Sequence, residues 1–488
     1  MSLGQKVLSG VVWTAFDLVV NKGFGLLIKL VLARLLLPGD YGIIGMAVVF
    51  INFAKVLAES GIGPAIVQMP EESLRREHLD TTFWTSVAWS GTLYLLIVYF
   101  VAPWSASFYG EPVLEQVVPI LGIGILISPL NVVHRSQLTR AFKFKRIALI
   151  NNIASVIGGI IAVALAYRGY GLWALVWYTI LPLIIMLPQL YRATGYIPGL
   201  AISREAFHDI FTFGIVTMGT AVIGTFVNQL DYLLIGKMVS KYALGLYTFA
   251  FLLTDVARRQ ISTVLGSVMF PAYSSIQHDR NKMKKTYLKV MQLNCLAIFA
   301  PMTLLLVNAT NIVTFFFGVK WIDSVILIQF LVVAALANAM TSGFGALLRG
   351  MGKVSMEFNL HLVRALLIFV PLLYFGVRNH GVLGAAVAVV LHQLISVPII
   401  LYVLKRQIGL EGWEFFRAMW PVVFAAAIST GVGLLSRQVI GTSDPATIIH
   451  AVLMLTTFFI VIYITMKAEL TMVIFRLNDL RKRLLTKG

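Results

Sequence analysis

The sequence predicts an all-α polytopic membrane protein of about 14 transmembrane helices, arranged as two parallel six-helix lobes with two further helices at the C-terminal end. Three observations predict this. Of 488 residues, 59% are apolar and only 12% charged, half of what a soluble surface carries, and the mean hydropathy is +0.86. The apolar runs are about 20 to 30 residues long, the length at which a helix crosses a bilayer. A barrel would instead show alternating strands of roughly ten residues, and only helices and closed barrels satisfy their backbone in lipid. Finally, most of the chain reads as a duplication. A soluble enzyme, a disordered chain and a fibrous one are excluded at once.

Fourteen apolar segments follow in order: 11–36, 43–68, 79–103, 115–138, 147–167, 172–192, 209–236, 243–272, 286–308, 323–348, 359–377, 382–404, 418–436 and 447–466. The first is too long, and too interrupted by charge, for a cleavable signal peptide. Alternate loops differ sharply in basic residues. The set that includes the N-terminus holds 26 Lys and Arg against 6 in the opposite set. Cations accumulate on the cytoplasmic side, so both termini are expected there, which an even number of spans requires. The net charge of +18 is thus a topology signal rather than a nucleic-acid footprint. The single cysteine, Cys295, excludes disulfides and thiolate metal sites.

The repeat is visible without gaps. Residues 33–42, ending Pro38-Gly39-Asp40-Tyr41-Gly42, align with 236–245, ending Lys241-Tyr242-Ala243-Leu244-Gly245, at an offset of 203. Leu138-Thr139-Arg140 falls on Leu347-Leu348-Arg349 at 209, and Gly171 on Gly381 at 210. Six spans per copy make both copies enter the membrane in the same direction. The expected domains are an N-lobe (1–202), a C-lobe (203–410), and two spans with a basic tail (411–488). Parallel repeats are a transporter architecture, with the substrate held between the halves. No extramembrane loop exceeds about 20 residues and no glycine-rich phosphate loop appears, so no ATP-driven or catalytic domain is expected and no catalytic residue is assigned.

Ionisable groups inside spans mark function by default, since each costs about 2.5–3.5 kcal/mol at mid-depth. In the first span Asp17, Asn21, Lys22 and Lys29 share one face, about 140° wide at 100° per residue. In the second, Asn52, Lys55 and Glu59 line up. The seventh carries Thr217, Thr225, Asn228 and Asp231 on one side, and the eighth clusters Asp255, Arg258, Arg259 and Ser262. Shifted by 203, Lys55 lands on Arg258 and Asn52 on Asp255, so two related helices bring a cation to similar depth. The same charges also admit mutual ion pairing, and near span ends Lys29, Arg34 and Arg364 read as snorkelling to the headgroups. His361 and His392 read as hydrogen-bonded packing residues.

Several stretches carry a resemblance. Residues 33–42, the run Glu59-Ser60-Gly61-Ile62-Gly63-Pro64, Leu138–Phe144, Gly171–Val176, Gln229–Lys237 and Phe270-Pro271-Ala272-Tyr273-Ser274 together resemble Wzx-type polysaccharide transporters of the multidrug/oligosaccharidyl-lipid/polysaccharide (MOP) flippase superfamily, over roughly residues 1–410. The resemblance implies a flippase of the bacterial or archaeal cytoplasmic membrane. Its members translocate undecaprenyl-diphosphate-linked oligosaccharide between leaflets, in company with a polymerase and a chain-length regulator. For such a substrate, Lys22, Lys55, Arg258 and Arg259 are the candidates for the diphosphate, with Asn21, Asn52 and Asn228 for the sugars. Asp17, Asp231 or Asp255 would carry a coupling Na+ or proton, or neutralise the cations when the site is empty. No cofactor or metal is expected. A lipid II flippase or a cation-coupled drug exporter of the same superfamily is the alternative, although a drug site would favour acidic and aromatic residues.

Overall fold

A computed structural model describes residues 20–21, 23–59, 66–67, 69, 74–441 and 444–485; the side chains at 59, 206, 208–221, 256–257, 259–265, 267–268, 444–445 and 468–485 lie outside that description. Among the described residues all regular structure is helical and no strand occurs. The helices are α1 (23–35), α2 (Pro38–Glu59), α3 (Arg76–Tyr109), α4 (Leu114–Arg140), α5 (Phe144–Tyr167), α6 (Leu172–Thr194), α7 (Arg204–Met238), α8 (Lys241–Ser275), α9 (Arg280–Phe317), α10 (Ser324–Gly350), α11 (354–380), α12 (382–408), α13 (Gly412–Ile440) and α14 (Asp444–Leu485). Among the described residues, each of the fourteen apolar segments has its counterpart in one of them, residues 11–19, 22, 60–65 and 68 of the first two segments lying outside the description.

Local chemistry sets the boundaries. Pro38 opens α2 where a missing N–H costs nothing, and the Asp40 carboxylate accepts from the Leu37 N–H at 3.0 Å. That cap starts the helix five residues before its apolar run does. Gly171 and Gly381 precede α6 and α12 with the same backbone, φ 50, ψ −125 and φ 57, ψ −138. A side chain is strained there, so glycine is the residue that fits. The Gly381 break divides what is otherwise one apolar stretch, Val354–Ile408.

The helix ends after α4 and α10 share one backbone geometry. After α4, Ala141, Phe142 and Lys143 donate to the carbonyls of Gln137, Thr139 and Leu138 at 3.0, 3.0 and 2.9 Å. After α10, Met351, Gly352 and Lys353 donate to Leu347, Arg349 and Leu348 at 3.0, 3.0 and 2.8 Å. Phe142 and Gly352 both adopt positive φ, 54 and 72. The equivalence holds at an offset of 210, the same as at Gly171 and Gly381. The sequence alignment of Leu138-Thr139-Arg140 at 209 is therefore one residue out, and Arg140 corresponds to Gly350. Hydrogen bonds at a helix end fix the register, whereas a Leu-X-Arg match does not.

Backbone packing separates the chain into two compact units, Met1–Phe249 and Ala250–Gly488. In the first, α2 packs against α4, α6 and α7, α4 against α3 and α6, and α5 against α6. The N-terminal turns of α2 and α8 meet at two equivalent glycines. A Cβ on Gly42 would strike the Lys241 carbonyl, and one on Gly245 would strike the Pro38 carbonyl. Pro38 and Lys241 are themselves related by the offset of 203, so the two close approaches mirror each other.

The segment after α6 is strapped along one face of α3. The Trp84 indole donates to the Gly199 carbonyl at 2.7 Å, the Gly199 N–H to Asp80 at 3.0 Å, and the Ser203 N–H to Thr81 at 2.9 Å. Arg76 reaches the Ile197 carbonyl at 3.3 Å, and the Tyr196 hydroxyl donates to Asp80 at 2.5 Å. Burial first, and the Asp80 carboxylate second, hold the Tyr196 phenol above its ordinary pKa. Residues 76, 80, 81 and 84 recur at helical spacing, which is why one face gathers the whole strap.

In the second unit, α9 packs against α10, α13 and α14, α10 against α12, and α13 against α14. Gln292 on α9 donates to the Ala418 carbonyl on α13 at 2.7 Å, and Lys284 pairs with Glu414 at 2.8 Å. Helix α14 breaks at Met466 (φ −124, ψ 23), at the end of its apolar segment, and the basic tail continues as helix beyond it.

Candidate functional site

The polar groups with the fullest geometry stand in the second unit, where α8, α10 and α12 each contribute. On α8, Asp255 and Arg258 are one turn apart, the spacing that makes helical neighbours. Arg258 donates to Asp255 Oδ1 through Nε at 3.0 Å and also through a terminal nitrogen. Its other terminal nitrogen donates to the Asn338 amide oxygen on α10. Asn338 in turn donates to Gln393 Oε1 on α12 at 3.2 Å. Both charged side chains are shielded, at 15% and 13% exposure. The result is a chain of four polar residues from three helices, with the guanidinium fork shared between a carboxylate and an amide.

Asn338 and Gln393 were not among the residues the sequence singled out. A lone amide in an apolar run, such as Ala337-Asn338-Ala339 or His392-Gln393-Leu394, carries no charge and so no conspicuous signal. His392 sits beside Gln393 with its ring 5.1 Å from that of Phe369, in accord with a packing role.

In the first unit the candidate residues occupy separate settings. The Asn21 amide donates to Ser155 Oγ on α5 at 3.1 Å. Asn52 is half-buried and Lys55 exposed on α2. Asn228 is exposed and donates to the Gly224 carbonyl of its own helix at 2.8 Å. Asp231 is buried, accepting from the fully buried Tyr247 hydroxyl at 3.0 Å and from the Tyr232 N–H at 2.9 Å. Asp17 and Lys22 lie outside the described residues, as do the side chains of Arg259, Glu59 and Thr217. Of the sequence candidates, then, the structure brings together Asp255 and Arg258 and gives Asp231 a tyrosine partner.

The ion-pairing alternative is realised at Asp255 and Arg258. That does not remove the pair from function. A guanidinium held by one carboxylate inside a membrane is neutral overall, and a doubly charged phosphate is a stronger partner for it.

The family described as "Polysaccharide biosynthesis protein" matches residues 31–326, more than half of the chain. The chain belongs to that family. Among curated polysaccharide biosynthesis proteins it is 24% identical over 427 residues to the lipopolysaccharide biosynthesis protein WzxC of Escherichia coli (strain K12), covering 86% of this chain and 85% of that one. It is 23% identical to the teichuronic acid biosynthesis protein TuaB of Bacillus subtilis (strain 168), covering 88% and 90%. The succinoglycan biosynthesis transport protein ExoT of Rhizobium meliloti (strain 1021) is also 23% identical, covering 74% and 72%. The fold matches the lipid II flippase MurJ in an inward closed conformation, with TM-score 0.75 at 15% identity, over 95% of this chain and all of that one. It also matches an inward-facing multidrug resistance MATE family transporter of the MOP superfamily, with TM-score 0.64 at 16% identity, over 82% and 98%. This polysaccharide biosynthesis protein is thus a multi-pass membrane protein whose fold matches those of MurJ and a MATE family transporter.

Proposed function

We propose that the protein carries an undecaprenyl-diphosphate-linked oligosaccharide from the cytoplasmic to the periplasmic leaflet by alternating access, without covalent chemistry. The observation that carries this reading is the Arg258 network. Placing a guanidinium, a carboxylate and two amides in an apolar bundle is costly, and a duplicated transporter fold has a use for it. In the empty protein Asp255 neutralises Arg258. When a lipid-linked headgroup arrives, its diphosphate accepts from the guanidinium fork in place of Asp255. Asn338 and Gln393 turn their amides to phosphate or sugar oxygens. Asp255, released from Arg258, takes up a proton or Na+, which links headgroup binding to ion movement. Lys55, Asn21, Asn52 and Asn228 are the candidates that the first unit offers by itself for phosphate and sugar oxygens.

Relatives with printed roles in lipopolysaccharide, teichuronic acid and succinoglycan biosynthesis support the substrate class. The basic loops support an orientation with both termini in the cytoplasm. A glycan polymerase and a chain-length regulator would act on the delivered product. A lipid II carrier is the second reading, suggested by the MurJ-like fold. It shares the diphosphate and differs in the sugars.

Binding of a labelled lipid-linked oligosaccharide to the purified protein tests the proposal. Losing a charge-assisted contact of about 1.5–3 kcal/mol weakens binding roughly ten- to a hundredfold in Arg258→Ala. Unchanged affinity in that variant contradicts the assignment. Stronger competition by lipid II than by the oligosaccharide carrier selects the second reading.

A further inference from the structure

A groove of about 500 Å³ lies between α9, α13 and α14, away from the Arg258 network. Its walls are apolar, with Leu288, Leu293 and Leu296 on α9, Pro421 on α13 and Met466 on α14. The polar groups along it are already engaged. Gln292 donates to the Ala418 carbonyl at 2.7 Å and the Thr465 hydroxyl to Val461 at 2.7 Å.

One end of the groove is different. Lys285 and Lys289 project from successive turns of α9, and Arg417 stands on α13 with its guanidinium 5.7 Å from the Trp413 ring. The one carboxylate there, Glu414, is held by Lys284 at 2.8 and 3.0 Å and by the Glu411 N–H at 3.0 Å. Among the described residues no ion pair is formed by Lys285, Lys289 or Arg417. Three cations therefore frame the mouth of an apolar slot.

The dimensions identify the occupant. From Lys285 to Leu296 is eleven residues, about 16 Å of helix, which is half of a hydrocarbon core about 30 Å thick. A slot of that length, with its cations at one end, matches the depth of one leaflet. The amphipathic Trp413, exposed at the mouth, suits the interfacial level.

We propose that this groove is a binding site for an anionic glycerophospholipid of the bilayer, its phosphate held by Lys285, Lys289 and Arg417 and an acyl chain lying against the leucines of α9. Its lining shares no residue with the Arg258 network. It fastens α13 and the break in α14 to α9 through a lipid that the membrane itself supplies.

Native mass spectrometry of the full chain in detergent, titrated with phosphatidylglycerol, tests this. At about fivefold per basic residue near a headgroup, Lys285→Ala/Lys289→Ala/Arg417→Ala is expected to weaken the tightest phosphatidylglycerol adduct about a hundredfold. Phosphatidylcholine should bind weakly to both forms. Leu293→Trp, which fills the slot and keeps the charges, is expected to weaken the same adduct. Equal phosphatidylglycerol binding by the wild type and the triple variant overturns the proposal, as does equal binding of phosphatidylcholine. Preferential capture of undecaprenyl phosphate over phosphatidylglycerol also overturns it, because the groove would then belong to the transport route. Headgroup binding by Arg258→Ala is scored separately, so failure of one assignment leaves the other standing.

Discussion

At the scale of single residues, Arg258 is where charge, geometry and cost meet. Removing one member of a shielded ion pair strands the other, at about 3 kcal/mol or more. Asp255→Asn is therefore expected to lower the melting temperature in detergent by several degrees, whereas Asp255→Asn/Arg258→Gln recovers most of the loss. If the pair also serves transport, the double variant regains stability and stays inactive in glycan export. Recovery of both would make the pair purely structural. Asn338→Leu and Gln393→Leu should impair export less than Arg258→Ala, since neutral hydrogen bonds are weaker than charge-assisted ones. Asp231→Asn keeps an acceptor for the Tyr247 hydroxyl and is expected to be milder still, and export equal to that of Arg258→Ala would make it a coupling group. Asp255 and Arg258 were legible in the sequence because charge is conspicuous in an apolar run. Asn338 and Gln393 were not, because a neutral amide announces itself only through its partners.

At the scale of elements, the crossing of α2 and α8 depends on two glycines with backbone against backbone. Gly42→Ala and Gly245→Ala are each expected to reduce monodisperse protein in fluorescence-detected size exclusion. Gly39→Ala, where a Cβ meets nothing within 4 Å, should leave it unchanged. Equal behaviour of all three would contradict the reciprocal contact. The strap along α3 makes a second test. Asp80→Ala leaves the Tyr196 hydroxyl and the Gly199 N–H without their acceptor, so proteolysis within residues 195–203 should accelerate relative to wild type. Among the described residues helix existence was readable from hydropathy, including the short segments at 172 and 359. Ends were less readable: α2 begins at Pro38 because of a proline and an aspartate cap, and α14 outruns its apolar segment because its tail is a polar helix. The repeat was visible at Gly42, Gly171 and their counterparts. Its register near Arg140 needed the turn hydrogen bonds, since side-chain identity drifts while backbone geometry does not.

At the scale of the whole molecule, composition alone separated a membrane protein from a soluble one, and the duplication with its basic loops set the expected topology. Single cysteines in a Cys295→Ala background test that topology: one at Lys282 should react with an impermeant thiol reagent only from the cytoplasmic side, and one at Lys320 only from the periplasmic side. The opposite pattern would invert the direction of transport. Family membership places the chain among polysaccharide biosynthesis proteins, and its fold matches those of MurJ and a MATE family transporter. The most direct measurement is leaflet exchange of a fluorescent undecaprenyl-diphosphate oligosaccharide in proteoliposomes holding the purified protein. The account predicts that the wild type exposes the label to an external quencher at least tenfold faster than Arg258→Ala, with the lipid recovered chemically intact. Equal rates for the two proteins, or a newly formed glycosidic bond, would contradict it.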